Sequence, residues 1–139
     1  MINKVLFFLY LIFASHRIEA QIRDNKVLNN LGANIQFTYK DTILEKGSIN
    51  KIKEVAKLLN KSNKLFFLDS HTCVEGSEKD NFELTQKRAL IVARKLLELG
   101  VDSFKIIPRG RGEMYPVYLV VSSRLNFKNR IIQFTTRRK

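Results

Sequence analysis

The chain opens Met1-Ile2-Asn3-Lys4 and then runs from Val5 to Ala14 without a charged side chain. Beyond this stretch the apolar positions become periodic. Residues 21–32 are polar with scattered leucines and predict a short lead-in or linker. Asn34-Ile35-Gln36-Phe37-Thr38-Tyr39 alternates polar and apolar, the period of a half-buried strand. Gly47-Ser48 punctuates the chain, and Ser48 is a candidate N-cap. From Ile49 onward Ile52, Val55, Ala56 and Leu59 recur at three- and four-residue spacing, which predicts an amphipathic helix. Leu65-Phe66-Phe67-Leu68 reads as a buried strand, and residues 69–81 as a polar loop. A longer helix is expected over residues 82–99, with the stripe Ala89, Val92, Ala93, Leu96 and Leu99, closed by Gly100. Phe104-Lys105-Ile106-Ile107 predicts a third strand, residues 109–116 a turn-rich segment, and residues 131–135 a last strand. The expected class is α+β, with two helices packed on one face of a small mixed sheet.

A lysine followed by an uncharged apolar run has the form of a secretory signal peptide. Ten helical residues cover about 15 Å, half of the roughly 30 Å hydrocarbon core, which is short for a stable transmembrane anchor. Ala20, before Gln21, offers a small residue for cleavage, and no cysteine stands just after the apolar run to be acylated. The expected division is a signal peptide over residues 1–20, the lead-in over 21–32 and one domain over 33–139.

Charge narrows the partners. The 139 residues carry 25 Lys and Arg against 13 Asp and Glu, a formal net charge of +12 that loss of residues 1–20 would lower by one. Such an excess points to nucleic acid, lipid headgroups or a carboxylate-rich polymer. Export removes nucleic acid from that choice and favours an anionic polymer outside the cytoplasm. The single cysteine excludes an intramolecular disulfide framework and any multi-cysteine metal site. His16 and His71 leave little material for a zinc centre, so no metal and no cofactor is expected.

The most specific signal is a constellation. His71-Thr72-Cys73-Val74-Glu75-Gly76, then Asn81, then Leu84-Thr85-Gln86-Lys87-Arg88-Ala89 resembles the signature of the OmpA-like domain, which reads Gly-His-Thr-Asp-x-x-Gly, an Asn, and Leu-Ser-x-x-Arg-Ala. The resemblance continues through Gly100-Val101, Arg109-Gly110-Arg111-Gly112-Glu113, Pro116 and Asn129-Arg130, with Phe37 and the Leu44-x-x-Gly47 step upstream. It spans residues 33–138. It implies a β-α-β-α-β-β sandwich and non-covalent, non-catalytic binding of peptidoglycan through the diaminopimelate of its stem peptide. The implied ligand-facing positions are Cys73, Asn81 and Arg88, and Arg130 either faces the same groove or pairs across the sheet. The implied location is the periplasm, at the outer membrane or cell wall.

The residue chemistry agrees in part. A planar guanidinium early in a helix can hold a carboxylate bidentately, aided by the field of the helix start. Asn81 offers both a donor and an acceptor. Cys73, however, stands where the family has Asp; Ser70 replaces the usual Gly, and Thr38 stands where a first-strand Asp is common. A thiol cannot neutralise the ligand's ammonium, and losing one partner of a buried ionic contact costs on the order of 2–5 kcal/mol. Asp69, Glu75 and Glu78 are the nearby carboxylates that could substitute.

Each residue also has a plainer reading. Arg88 can form a structural salt bridge with Glu83 or Glu113, and His71 can be a hydrogen-bonded residue at a strand end. Cys73 with His71 two positions away lacks a third orienting group, so no enzyme is indicated. Cys73 could join two copies of the chain through an intermolecular disulfide, giving a homodimer. Gly110-Arg111-Gly112 reads as a turn. The run Val117-Tyr118-Leu119-Val120-Val121 suggests a surface for an envelope protein partner or an added edge strand. The alternative to peptidoglycan binding is therefore a degenerate OmpA-like module acting as a protein-interaction component of the envelope.

Overall fold

The computed structural model describes residues 2–114 and 129–136. Three helices, α1 (Ile2–Ala33), α2 (Ser48–Lys61) and α3 (Glu78–Glu98), accompany three strands, β1 (Phe66–His71), β2 (Ile106–Gly112) and β3 (Ile132–Thr136). β1 is central, parallel to β2 and antiparallel to β3, so the sheet is mixed and the class is α+β as expected. α3 forms the crossover between the parallel pair and packs against both strands. The run 117–121 lies outside the described residues.

The core is built from the predicted stripes. Ile52, Val55, Ala56 and Leu59 of α2 meet Ala89, Val92, Ala93 and Leu96 of α3, with Phe66 and Leu68 of β1 and Ile132 and Phe134 of β3 beneath them. Leu99, expected in the α3 stripe, is 38% exposed, and Val101 takes the buried place after Gly100 reverses the chain at φ +83. α3 also begins four residues earlier than the apolar stripe indicated. Ser77 Oγ accepts the Asp80 N–H at 3.1 Å, and Glu78 and Asp80 place negative charge at the helix start.

Four local expectations are corrected. Residues 21–32 are helical, and Leu28 and Leu31 belong to the core. Asn29 Oδ1 accepts the Phe134 N–H at 2.8 Å, so α1 covers the outer edge of β3, which a polar lead-in would leave open. No regular strand forms over residues 34–39. Asn34 and Ile35 still bond back to Leu31 and Gly32, and only the Phe37–Leu44 bridge of a short turn remains. Ser48 does not cap α2. Its hydroxyl accepts the Gln36 N–H at 2.9 Å and donates to the Gln36 carbonyl at 3.0 Å, while Gly47 occupies the cap position. Gly110-Arg111-Gly112 is not a turn but the end of β2, paired to β1 through Ser70 and His71.

Val5 to Phe13 are exposed on all sides of α1. The helix over Asn3–Ala33 is long and apolar enough, by length and composition, to cross a membrane. The uncharged part is shorter, because Arg17, Glu19, Arg23, Asp24 and Lys26 follow from residue 17 onward.

Candidate functional site

The site forms where β1 hands the chain to α3. His71 ends β1 with its N–H on the Ile131 carbonyl at 2.9 Å, and Thr72 N–H bonds Gly112 O at 3.1 Å. The next residues then diverge: Cys73 is buried at 3% exposure, whereas Glu75 points to solvent. On α3 the positions 81, 85 and 88 share one face through the helical period. Asn81, Thr85 and Arg88 are all buried there. Thr85 Oγ1 bonds back to the Asn81 carbonyl and accepts the Gly112 N–H, each at 2.9 Å, which docks this face on the end of β2.

Arg88 reaches across to the turn that precedes α2. Its Nε donates to the Asp41 carbonyl at 2.9 Å and Nη2 to the Thr38 carbonyl at 3.1 Å, with the guanidinium 5.0 Å from the centre of the Phe37 ring. Among the described residues it pairs with no carboxylate. Glu83 instead lies near Lys79, and Glu113 accepts from Asn81 Nδ2. Burial first, and the neighbouring charge of Arg130 second, lower the Arg88 pKa from the usual arginine value.

Arg130 enters the same place rather than pairing across the sheet. Its Nε donates to Cys73 Sγ at 3.0 Å, and Nη2 lies 3.3 Å from each oxygen of Glu75. The Tyr39 ring sits beneath the guanidinium at 5.0 Å, and the Tyr39 hydroxyl donates to Glu75 Oε2 at 2.8 Å. That hydroxyl, helped by the charges of Arg130 and Lys40, holds the Glu75 carboxyl below its ordinary pKa. Burial disfavours the Arg130 charge, but the contact with Cys73 and the charge of Glu75 outweigh it and raise its pKa.

Two spaces flank this pair of arginines. The smaller, about 20 Å³, lies between Cys73, Glu75, Asn81, Arg88 and Arg130. The larger, about 150 Å³, is lined by the same two arginines with Phe37, Glu45, Ser70 and Ile131. Ser70 Oγ is buried with no hydrogen-bond partner among the described residues. The four residues singled out from sequence, Cys73, Asn81, Arg88 and Arg130, therefore converge on one groove. Tyr39 was not singled out: an exposed aromatic in an expected strand gives no sign that it will support Glu75 and Arg130.

The other loop carboxylates lie elsewhere. Asp69 takes both Nε and Nη2 of Arg109 at 2.7 Å and Nε of Arg111 at 2.8 Å, and Thr135 Oγ1 donates to it at 3.2 Å. Its cross-strand neighbours are Arg109 and Gln133, and the alternation of the strand sets it on the sheet face away from Leu68 and the helices. Burial works against its charge, yet the two arginines prevail and lower its pKa. Glu78 sits in the exposed first turn of α3, beside Phe82 and Arg111. Of the three candidates only Glu75 borders the groove.

A sequence model of the OmpA family matches residues 36–130. The chain belongs to the OmpA family. The match takes in Cys73, Asn81, Arg88 and Arg130, the four residues that converge on the groove. Among solved structures, this OmpA-family chain is similar to the peptidoglycan-associated lipoprotein from Burkholderia pseudomallei, at 22% identity over 74% of this chain and 88% of that one, with a TM-score of 0.66. It is also similar to the cell wall anchor of the T6SS from Pseudomonas aeruginosa, at 20% identity over 74% and 75%, with a TM-score of 0.63. An outer membrane protein from Borrelia burgdorferi B31 shares 28% identity over 73% and 81%, with a TM-score of 0.57.

Proposed function

We propose that this OmpA-family chain binds peptidoglycan non-covalently and without catalysis, as an exported domain of the cell envelope. The observation that carries the reading is the pair of arginines at one groove, Arg88 from α3 and Arg130 before β3, with no carboxylate on Arg88 among the described residues. Arg88 spends Nε and Nη2 on carbonyls of the 38–41 turn, which fixes its plane, and Nη1, without a partner among the described residues, can donate to an incoming carboxylate. Arg130 is held from both sides by Cys73 and Glu75. Guanidiniums positioned before the ligand arrives lose little side-chain freedom on binding.

The stem-peptide diaminopimelate supplies the matching carboxylate. The comparison proteins whose descriptions read peptidoglycan-associated lipoprotein and cell wall anchor support this choice of polymer. The overall positive charge would concentrate the protein on an anionic wall. In this reading residues 1–20 direct export and are removed, and the mature chain keeps Leu28 and Leu31 for its core. The expected location is the periplasm, at the wall or outer membrane.

One observation favours a second reading, a degenerate module that binds an envelope protein: position 73 brings no carboxylate to the groove. Co-sedimentation with purified sacculi separates the two. The first reading expects the wild-type chain in the pellet and Arg130→Ala largely in the supernatant, at low salt and with unchanged circular dichroism. Wild-type protein that stays in the supernatant would leave the second reading.

A further inference from the structure

The groove contains a carboxylate after all, two positions further along the loop than the family pattern places it. We propose that Glu75 is the acceptor for the ammonium group of a zwitterionic ligand whose carboxylate lies on Arg88 and Arg130. This inference rests on the peptidoglycan reading and deepens it, since it assigns the specificity of the same groove to a residue that the family pattern does not use.

Three observations carry it. First, Glu75 is held in place before any ligand arrives, by the Tyr39 hydroxyl at 2.8 Å on Oε2 and by Arg130 Nη2 at 3.3 Å from both oxygens. An ionised carboxylate has about four acceptor positions, and these contacts leave some of them open. The Arg130 contact is long and its Glu75 side chain is 42% exposed, so the pair is loose enough to share the carboxylate with a second cation.

Second, the space bordered by Glu75, Cys73 and Asn81 measures about 20 Å³. A single water needs roughly 10–15 Å³ by the same kind of measure, so the space suits a water-sized group such as an ammonium. The space on the other side of the arginines, about 150 Å³, has room for a carboxylate and the carbons that carry it. Size therefore separates the two ends of an amino-acid terminus, and Glu75 is the one carboxylate among the residues lining the smaller space.

Third, the other carboxylates do not serve the small space: Glu45 lines the larger one, and two more are engaged. Asp69 is spent on Arg109 and Arg111 on the opposite sheet face, and Glu113 is bonded to Asn81. Without Glu75 the small space would present Arg88, Arg130 and Lys40 and would repel an ammonium. With it, the site has the alternation of charge that an amino-acid terminus requires.

Calorimetric titration of the full chain in mild non-ionic detergent tests this with two probes. One is the stem tripeptide ending in meso-diaminopimelate; the other is the same tripeptide with 2-aminopimelate in its place, which keeps the peptide-linked amine and the distal carboxylate and lacks only the distal ammonium. The wild type should favour the first by about tenfold or more, in line with one charge-assisted hydrogen bond. Glu75→Gln should bring the two within about threefold, chiefly by weakening the first. Cys73→Asp in the Glu75→Gln background should restore the preference by returning a carboxylate to the same space. If Glu75→Gln keeps the wild-type preference while both probes still bind, Glu75 is only the partner of Arg130, and the inference fails alone. If the wild type binds neither probe, the peptidoglycan reading fails and this inference falls with it.

Discussion

Arg130 Nε lies 3.0 Å from the sulfur of Cys73, joining the residues just before β3 to the second loop residue after β1. This contact decides what an acid at position 73 could do. In Cys73→Asp the new carboxylate would meet Arg130 directly and compete with Glu75 for it. With Glu75 already serving the ligand, Cys73→Asp in the otherwise native chain should change the affinity for a diaminopimelate tripeptide by less than about threefold, roughly 0.7 kcal/mol. Titration calorimetry checks it. A gain of about 1–3 kcal/mol would mean that the ammonium lacks a partner in the native groove.

Arg88 has two duties that a single substitution will separate only in part. Arg88→Ala removes the donors to the Thr38 and Asp41 carbonyls and should cost about 1–3 kcal/mol of stability as well as ligand affinity. Arg88→Lys can keep one of those contacts but not the planar fork. It should therefore recover most of the stability and little of the binding, as read by urea denaturation beside tripeptide titration. Equal recovery of both would show that Arg88 acts on the ligand only as a point charge.

Asp69 gives a pH dependence with a definite sign. Its pKa in the folded chain is lowered below 3.8, because the hydrogen bonds and charges of Arg109 and Arg111 outweigh burial. A group of this kind adds stability in full above its unfolded pKa and loses it as the pH falls through the folded one. At pH 7 Asp69→Asn should cost roughly 2–4 kcal/mol, below the range for a fully buried pair because the arginines are partly exposed. The difference between wild type and Asp69→Asn in urea unfolding should shrink as pH is lowered from 7 towards 3. A difference that is constant across that range would remove the ion pairs from the account.

The close seating of α1 predicts a steric effect. A Cβ added at Gly32 would lie 2.4 Å from the Ile132 carbonyl oxygen and 3.2 Å from the Phe134 ring. Backbone on one side and a core ring on the other cannot both yield cheaply. Gly32→Ala should cost about 1–3 kcal/mol in a denaturation experiment. A neutral result would mean that the end of α1 is not packed on β3 as described.

Periodicity made the two helical stripes and the central strand β1 legible, because burial on one face repeats every three to four residues in Ile52–Leu59 and Ala89–Leu96; the strand expected over Phe104–Ile107 instead begins at Ile106, after a 3-10 turn over Ser103–Lys105, and runs to Gly112. It failed where structure depends on contacts distant in sequence. Leu28 and Leu31 look like scattered leucines until Phe134 and Ile132 are placed beside them. Ser48 resembles an N-cap, and only the turn carrying Gln36 reveals what its hydroxyl bonds. For the groove, the spacing of Asn81 and Arg88 on one helix face could be read from the chain. The support of Glu75 by Tyr39, 36 residues away, had no local signal.

The most direct test of the central claim follows the arginine side chains themselves. In a nitrogen-15 labelled chain titrated with soluble diaminopimelate tripeptide, the Nε–H signals of Arg88 and Arg130 should shift together and saturate with one affinity. Those of Arg109 and Arg111, held by Asp69 on the opposite face of the sheet, should stay in place. Shifts confined to Arg109 and Arg111, or no saturable shift at any of the four, would contradict peptidoglycan binding through this groove.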